Sequence, residues 1–511
     1  QLDVARDAVG YVLSLRCVDP GGRVRFTLTE TAPDEPSVPP AVDRLSRRAR
    51  IELGERPEEL RGAQVEVGRA LTADLEAYRH YFLGEQCAAR PVYGQDCSPH
   101  FRRAAERDPA FAAAHYQLAL WSFWFGGPRE EQLQAIAEAV DHAADAPEKE
   151  RLLIRAWDAY LHGREDEALA DYATITVRWP QDRVGWYQHG EILRRREELA
   201  AAVPWFEKAA EVDPEHGWTL AHLAECLGGA GRLDALRAWV ARWEARARPA
   251  ELHALVTAYG WLGDAAAAEG AAKRAIALGG GVSAQEDLLS VWTMQGRFAE
   301  VEAAVRGLAK PGSEIRPMGY YALAAMDAYR GRRATGRATL DALGQALPAL
   351  ERQSLYRNAR IEYLLGDRDL AAVRRELAAL AASDPPAAAE HAAEVAWLGD
   401  PALAASLAAG LRPGSPPRRA ADAVAKVRRG DVEAGLAELR DLSATTPVFT
   451  WRVAPVFLYG DLAAEAGRCG EALEALARFQ RTWQPIAMWR SWALPWARQR
   501  VAACEAKAGA R

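Results

Sequence analysis

Few residues in this chain have the types and spacing that chemistry requires. His222 and Cys226 lie four apart in a helical pattern, so their side chains share one face and supply half of a metal site. No second pair accompanies them, so they read as structural and no metal is expected. Glu165 and Glu167 sit at a turn and read as a solvated acidic face. Cys87 and Cys97 flank "CAARPVYGQDC", a loop rich in chain breakers. A disulfide between them and a pair of free thiols are both open readings. Cys226, Cys469 and Cys504 in helical patterns, and Cys17 in a strand pattern, read as small buried hydrophobes. The chain has no GxSxG, no HExxH, no glycine-rich loop and no HRD or DFG triplet. It is therefore read as no enzyme, with no cofactor.

Composition narrows the classes further. The 511 residues are 50% hydrophobic and 26% charged, enough apolar material for a large core. With a net charge of -6 and no long basic run, the footprint of nucleic-acid binding is absent. No stretch approaches 18 consecutive apolar residues, so no membrane insertion is expected. The chain starts at Gln1 with neither Met nor a signal pattern, and a fragment or a processed product is the expectation.

With so little chemistry in individual residues, the elements themselves carry the information. Tyr172 precedes Phe206 by 34 residues, and the same step separates Ala168 from Ala202, Trp186 from Leu220, Gly190 from Ala224, and Trp179-Pro180 from Asp213-Pro214. The unit beginning at Arg183 places large residues (Trp186, Leu193, Phe206) where two helices leave gaps. It places small ones (Gly190, Ala202, Ala209) where helices must approach closely, and Pro214 beyond the second helix with Asp213 to cap the next. A second ruler is the turn inside each unit: "GREDEA" at Gly163, "GRLDAL" at Gly231, "GDAAAA" at Gly263 and "GRFAEV" at Gly296. The row continues at Gly331, Gly366, Gly399, Gly430 and Gly467, with Glu197 in place of glycine in the Arg183 unit. Gly126 and Gly84 extend it less regularly upstream. A 34-residue period with two amphipathic helices per unit resembles the tetratricopeptide repeat. The resemblance implies an all-α superhelical solenoid of about a dozen helix pairs over roughly residues 70 to 508.

Residues 1–60 do not share the period. "VGYVLSLRC" alternates with Tyr11, Leu13, Leu15 and Cys17 on one face, and "RVRFTLTE" alternates with Val24, Phe26 and Leu28. "DPGG" joins the two as a hairpin turn. A helix follows with Val42, Leu45, Ala49 and Leu53 on one face, ended by Gly54. The order of this α/β piece, then "LTADLEAYRHYFLG", then "APEKERLLIRAWDAYLHGREDEALADY", resembles the TolB-like region that precedes tetratricopeptide repeats in bacterial serine/threonine kinases and regulators. That resemblance implies a sensing or docking segment of a signalling protein, in the cytoplasm or outside it. Any kinase activity would lie in an upstream domain not present in this chain.

The expected organisation is a partial TolB-like segment over 1–60, a regular repeat array over 61–250, and degenerate repeats over 251–511. "KPGSEIRP" at 310–317 and "LRPGSPPRR" at 411–419 fall in connections between helices. The resemblance to the repeat family implies protein or peptide binding in a concave groove lined by first helices. Counting within the 34-residue unit puts Trp157, Tyr160, Tyr187, Glu191, Arg194, Arg195, Trp218 and Glu225 there. A subtype of the family clamps C-terminal carboxylates with Lys and Asn; Tyr187 and Glu191 stand at those places, so that clamp is not indicated. At the end of the chain Trp489, Trp492 and Trp496 share a helical face, read as a cap on the last pair or as an interface. A stand-alone adaptor and a small-molecule sensor are the alternative functions.

Overall fold

The structure is a computed structural model that describes residues 2–6, 10–19, 21–54, 72–89, 96–244, 249–308, 316–446, 448, 452–482 and 488–509. At the front, β1 (Leu2–Arg6), β2 (Tyr11–Val18) and β3 (Val24–Ala32) form an antiparallel sheet in that order. Leu13 faces Glu30 and Leu15 faces Leu28 across the β2–β3 ladder, which slips register between Cys17 and Val18. The turn between them is held by Asp19, whose Oδ1 accepts from the backbone N–H groups of Gly21 and Arg23 at 2.9 Å each. α1 (Val38–Glu52) covers one face, burying Val38, Ala41, Leu45 and Ala49 on Leu13, Leu28 and Ala32. Two expectations change here. β1 adds a third strand to the hairpin, and Leu53 lies beyond the helix, 56% exposed, instead of on its buried face.

The rest of the described chain is mainly α-helical, and among the described residues it forms twelve helix pairs, a short extra helix at Pro385–Ala389, and one long final helix. The pairs begin with helices Leu75–Ala89 and Ser98–Arg107 and end with Pro455–Glu465 and Cys469–Arg481. This is the tetratricopeptide-type solenoid with a small sheet before it. The intra-pair turn requires one residue in the left-handed region, and glycine meets that need without a Cβ clash. Gly163, Gly231, Gly263, Gly296, Gly331, Gly399, Gly430 and Gly467 all have φ between 73° and 100°. Glu197 takes that place at φ 60°. Gly366 does not: it lies inside a helix, and the left-handed residue is Arg368 at φ 57°. Gly84 is not a turn either. It lies within Leu75–Ala89, where a Cβ would come within 2.6 Å of the Phe101 ring, so it is a close-approach glycine.

The Arg183 unit shows the packing logic. Helices Arg183–Arg195 and Leu199–Val212 close on each other with Phe206 fully buried, and a Cβ at Gly190 would stand 3.2 Å from its ring. Ala202 and Ala209 are buried beside it. Trp186 is half-buried, donates to the Pro180 carbonyl at 3.0 Å and lies against Trp205. The next helix, Gly217–Gly229, is capped by His216, whose side chain accepts from the Thr219 N–H. Asp213, expected in that role, pairs with Arg183 at 3.2 Å instead.

The chain divides into two compact units, residues 1–90, 96–125 and 130–175 in one, and 91–95, 126–129 and 176–511 in the other. In the second, the long C-terminal helix Met488–Gly509 packs on the last pair and also on helices Arg316–Tyr329 and Ser354–Asp367. Trp492 is buried against Trp397 and Phe457, and Trp496 meets Trp397 edge-on. The Trp489 side chain and residues 310–315 of the insertion at 310–317 lie outside the described residues, while Arg316 and Pro317 open helix Arg316–Tyr329 and not a connection. Of the 411–419 stretch, only 411–415 is a connection: it turns at Gly414 and Ser415 caps helix Pro416–Arg428, whose first turn takes up 416–419. Cys87 and Cys97 are disulfide-bonded, with Cα atoms 5.8 Å apart. So are Cys469 and Cys504, at 5.2 Å, which corrects their reading as buried thiols and ties the C-terminal helix to the last pair. Cys226 is buried and free, and Cys17 is half-buried and free.

Candidate functional site

The residues expected to line a groove split into buried and accessible sets. In the first unit, Trp157 is buried, with its ring stacked on Tyr160 at 5.0 Å and edge-on to Phe123; Tyr160 is half-buried. In the second, Tyr187, Glu191 and Arg194 are buried, while Arg195, Trp218 and Glu225 keep partial exposure. The part of the set that a partner can reach is therefore Tyr160, Arg195, Trp218 and Glu225.

The buried members form one charge cluster. Arg194 forks onto Glu191 at 2.8 and 2.9 Å and reaches Glu225 at 3.1 Å. Arg195 adds a bond to Glu191 at 2.7 Å, and His222 Nδ1 stands 3.2 Å from the same carboxylate. Burial opposes ionisation of Glu191, but Arg194, His222 and Arg195 outweigh it and hold the carboxyl well below the usual range. Burial, helped by Arg194, pushes His222 down to about 3. The chemistry here is cohesion. Glu225 is the residue 34 after Glu191, so Arg194 bridges the same position of two successive repeats. A comparable contact recurs between the next first helices, where His253 meets Asp287 at 2.7 Å across 34 residues; Arg333, at the start of a second helix, meets Asp367 at the end of the following first helix. His222, taken up by Glu191 and by the Tyr187 hydroxyl at 3.3 Å, does not form a metal pair with Cys226. Burial pushes the Cys226 thiol well above its usual range, which leaves it inert.

A second cluster escaped the sequence reading. Glu362 comes from helix Ser354–Asp367; His391 precedes helix Ala392–Leu398 and Glu394 lies in its first turn. They are 4%, 0% and 1% exposed, and one ligand atom from each lies within 4.8 Å of the others. Burial pushes Glu362 up to about 7, and burial with the Glu362 charge pushes Glu394 up to about 8. Burial drives His391 down to about 4. Two of these residues are spaced i, i+3 and the third comes from the preceding repeat. The only signal in the sequence was a histidine and a glutamate set within an alanine-rich helix.

These features define a helical-repeat array of tetratricopeptide type, an assignment that rests on this chain's own period, turns and helix pairing. Among solved structures, the chain is similar to the Cut9-Hcn1 hetero-tetramer of APC/C, with 12% identity, 91% of this chain and 88% of that chain covered, and a TM-score of 0.37. Yeast Tom70 is similar at 12% identity, with 84% and 96% covered and a TM-score of 0.35. No family model and no curated protein matches the chain.

Proposed function

We propose that this chain is a protein- or peptide-binding scaffold. The observation that carries the reading is the stacked series of helix pairs. Helix pairs bury apolar faces on their neighbours, and in the second unit successive first helices are joined by charged contacts, Arg194 to Glu225 and His253 to Asp287. Such a framework leaves recognition to side chains at its surface. Tyr160 in one unit, and Arg195, Trp218 and Glu225 in the other, supply aromatic area and charges of both signs for a polypeptide partner. No helix among the described residues is long and apolar enough to cross a membrane.

The test is site-specific photo-crosslinking in source cells. A photoreactive residue at Trp218 is expected to give discrete protein adducts, and one at the exposed second-helix residue Glu211 none. Equal labelling at both sites, or adducts at Glu211 alone, would overturn the reading.

The finer proposal is the sensor or docking region of a bacterial signalling protein, after the TolB-like resemblance of the front segment. Its test is the intact mass of the native protein in its source cell: a mass near 55.8 kDa would favour a stand-alone adaptor. The two disulfides support an oxidising compartment. Thiol titration of the native protein tests this, since four reactive cysteines in that set would remove the support.

A further inference from the structure

We propose that Glu362, His391 and Glu394 form a binding site for one first-row divalent transition-metal ion, of which zinc is the natural probe. The argument begins with which atoms are already engaged. His391 Nε2 lies 2.9 Å from Asn358 Oδ1, a carbonyl oxygen that can only accept, so Nε2 carries the proton and Nδ1 keeps its lone pair. Glu362 Oε2 accepts from the Trp492 indole at 2.9 Å, and Glu394 Oε1 accepts from the Val453 N–H at 3.2 Å. Each side chain thus has one atom fixed by a neighbour. The other atom of each, Glu362 Oε1, His391 Nδ1 and Glu394 Oε2, is buried with no hydrogen-bond partner. Those three atoms are the ones that converge. His391 Nδ1 and Glu362 Oε1 are 3.8 Å apart, and tetrahedral bonds of about 2.1 Å need donor separations of about 3.4 Å. Small side-chain movements close the remainder.

Three such atoms facing one another in a dry interior are unfavourable unless a proton or a cation sits between them, and their convergence favours the cation. A dication matches the two carboxylates in charge; the nearby Arg452 guanidinium, bonded to Glu390, also acts on Glu362 from outside the cluster and offsets only part of that charge. One imidazole with two carboxylates suits zinc, manganese or iron(II) better than copper(I), which prefers thiolates, or calcium, which prefers oxygen alone. Asn358, Trp492 and the Val453 N–H are the outer partners that orient such ligands. They come from helix Ser354–Asp367, the C-terminal helix and the segment before helix Pro455–Glu465, so the ion would tie these elements together.

The experiment uses the full chain, stripped with EDTA and titrated with cobalt(II) and zinc. The expected result is one equivalent bound, with ligand-field bands for cobalt that zinc abolishes. Glu362→Gln and Glu394→Gln keep side-chain shape, and each is expected to weaken binding by about 100-fold; Asn358→Ala, which releases the ring, by about 10- to 100-fold. Absence of a stoichiometric site in the wild-type chain overturns the proposal without recourse to any variant. Binding unchanged in both Gln variants overturns it as well, since the metal would then sit elsewhere.

Discussion

Replacing Arg194 with leucine removes the cation from the middle of the Glu191 cluster while retaining apolar bulk. Removing one partner of a buried ion pair typically costs about 3–5 kcal/mol, because the remaining charge is left in a dry site. Here Arg195 at 2.7 Å and His222 at 3.2 Å still face Glu191, so the loss is set lower, at about 2–3 kcal/mol. A chain of this length does not unfold in one step, so the assay is native-state hydrogen exchange read on peptides of helices Arg183–Arg195 and Gly217–Gly229. The expected drop in protection is about 30- to 150-fold there, with distant repeats unaffected. In the Glu191→Gln background the same replacement costs much less, since no charge is stranded. Protection unchanged in the single variant, or a loss equally large in both backgrounds, would refute the claim that this cluster is cohesive.

Acid weakens the same two helices. His222, held neutral in the fold with its pKa pushed down to about 3, takes up a proton in the unfolded chain below pH 6.5. The unfolded state then binds more protons, so stability falls as pH drops from 6.5 towards 3. Glu191 acts in the same sense lower down: its pKa is depressed, so its contribution is full above 4.5 and is lost as pH falls below. Exchange at pH 5 should exceed that at pH 7 after correction for intrinsic rates, and His222→Gln should flatten the difference; a flat wild-type profile contradicts it. Phe206→Ala empties a fully buried ring site facing Gly190 and should cost about 3–5 kcal/mol, read as loss of protection in helices Arg183–Arg195 and Leu199–Val212. Reduction of Cys469–Cys504 opens a link across 35 residues and should lower the stability of the C-terminal pair by at most about 4 kcal/mol, measured by exchange with and without dithiothreitol. No change on reduction would show that packing alone retains the C-terminal helix.

The period and the turns were legible because both are local. A left-handed residue between two helices almost demands glycine, and a helix-packing position almost demands a small side chain. Where chemistry and position separate, the reading slipped. Gly366 has the right spacing, but the fold puts the left-handed residue at Arg368; Gly84 has the right neighbours but serves Phe101. β1 was missed because five residues, "LDVAR", carry too little alternation to announce a strand. Counting within the repeat put the expected groove residues on first helices of their pairs, where the structure also has them. Counting does not show that Glu191 and Arg194 satisfy each other and Glu225 across a repeat boundary. The Glu362, His391 and Glu394 cluster was illegible for the same reason. Its outer partners, Asn358, Val453 and Trp492, come from three distant places that only the folded chain brings together.

The C-terminal helix reaches back past the last pairs to helices Arg316–Tyr329 and Ser354–Asp367. An ordinary solenoid pulled from its end gives way one repeat at a time, each step releasing a similar length at a similar force. This end cannot peel in that way. The helix that is pulled first is clasped to a helix 130 residues earlier through Trp492 on Glu362, and to the last pair through the disulfide to Cys469. Tension applied there is shared by several repeats at once, so the tail should hold as a single mechanical block and then yield in one large extension.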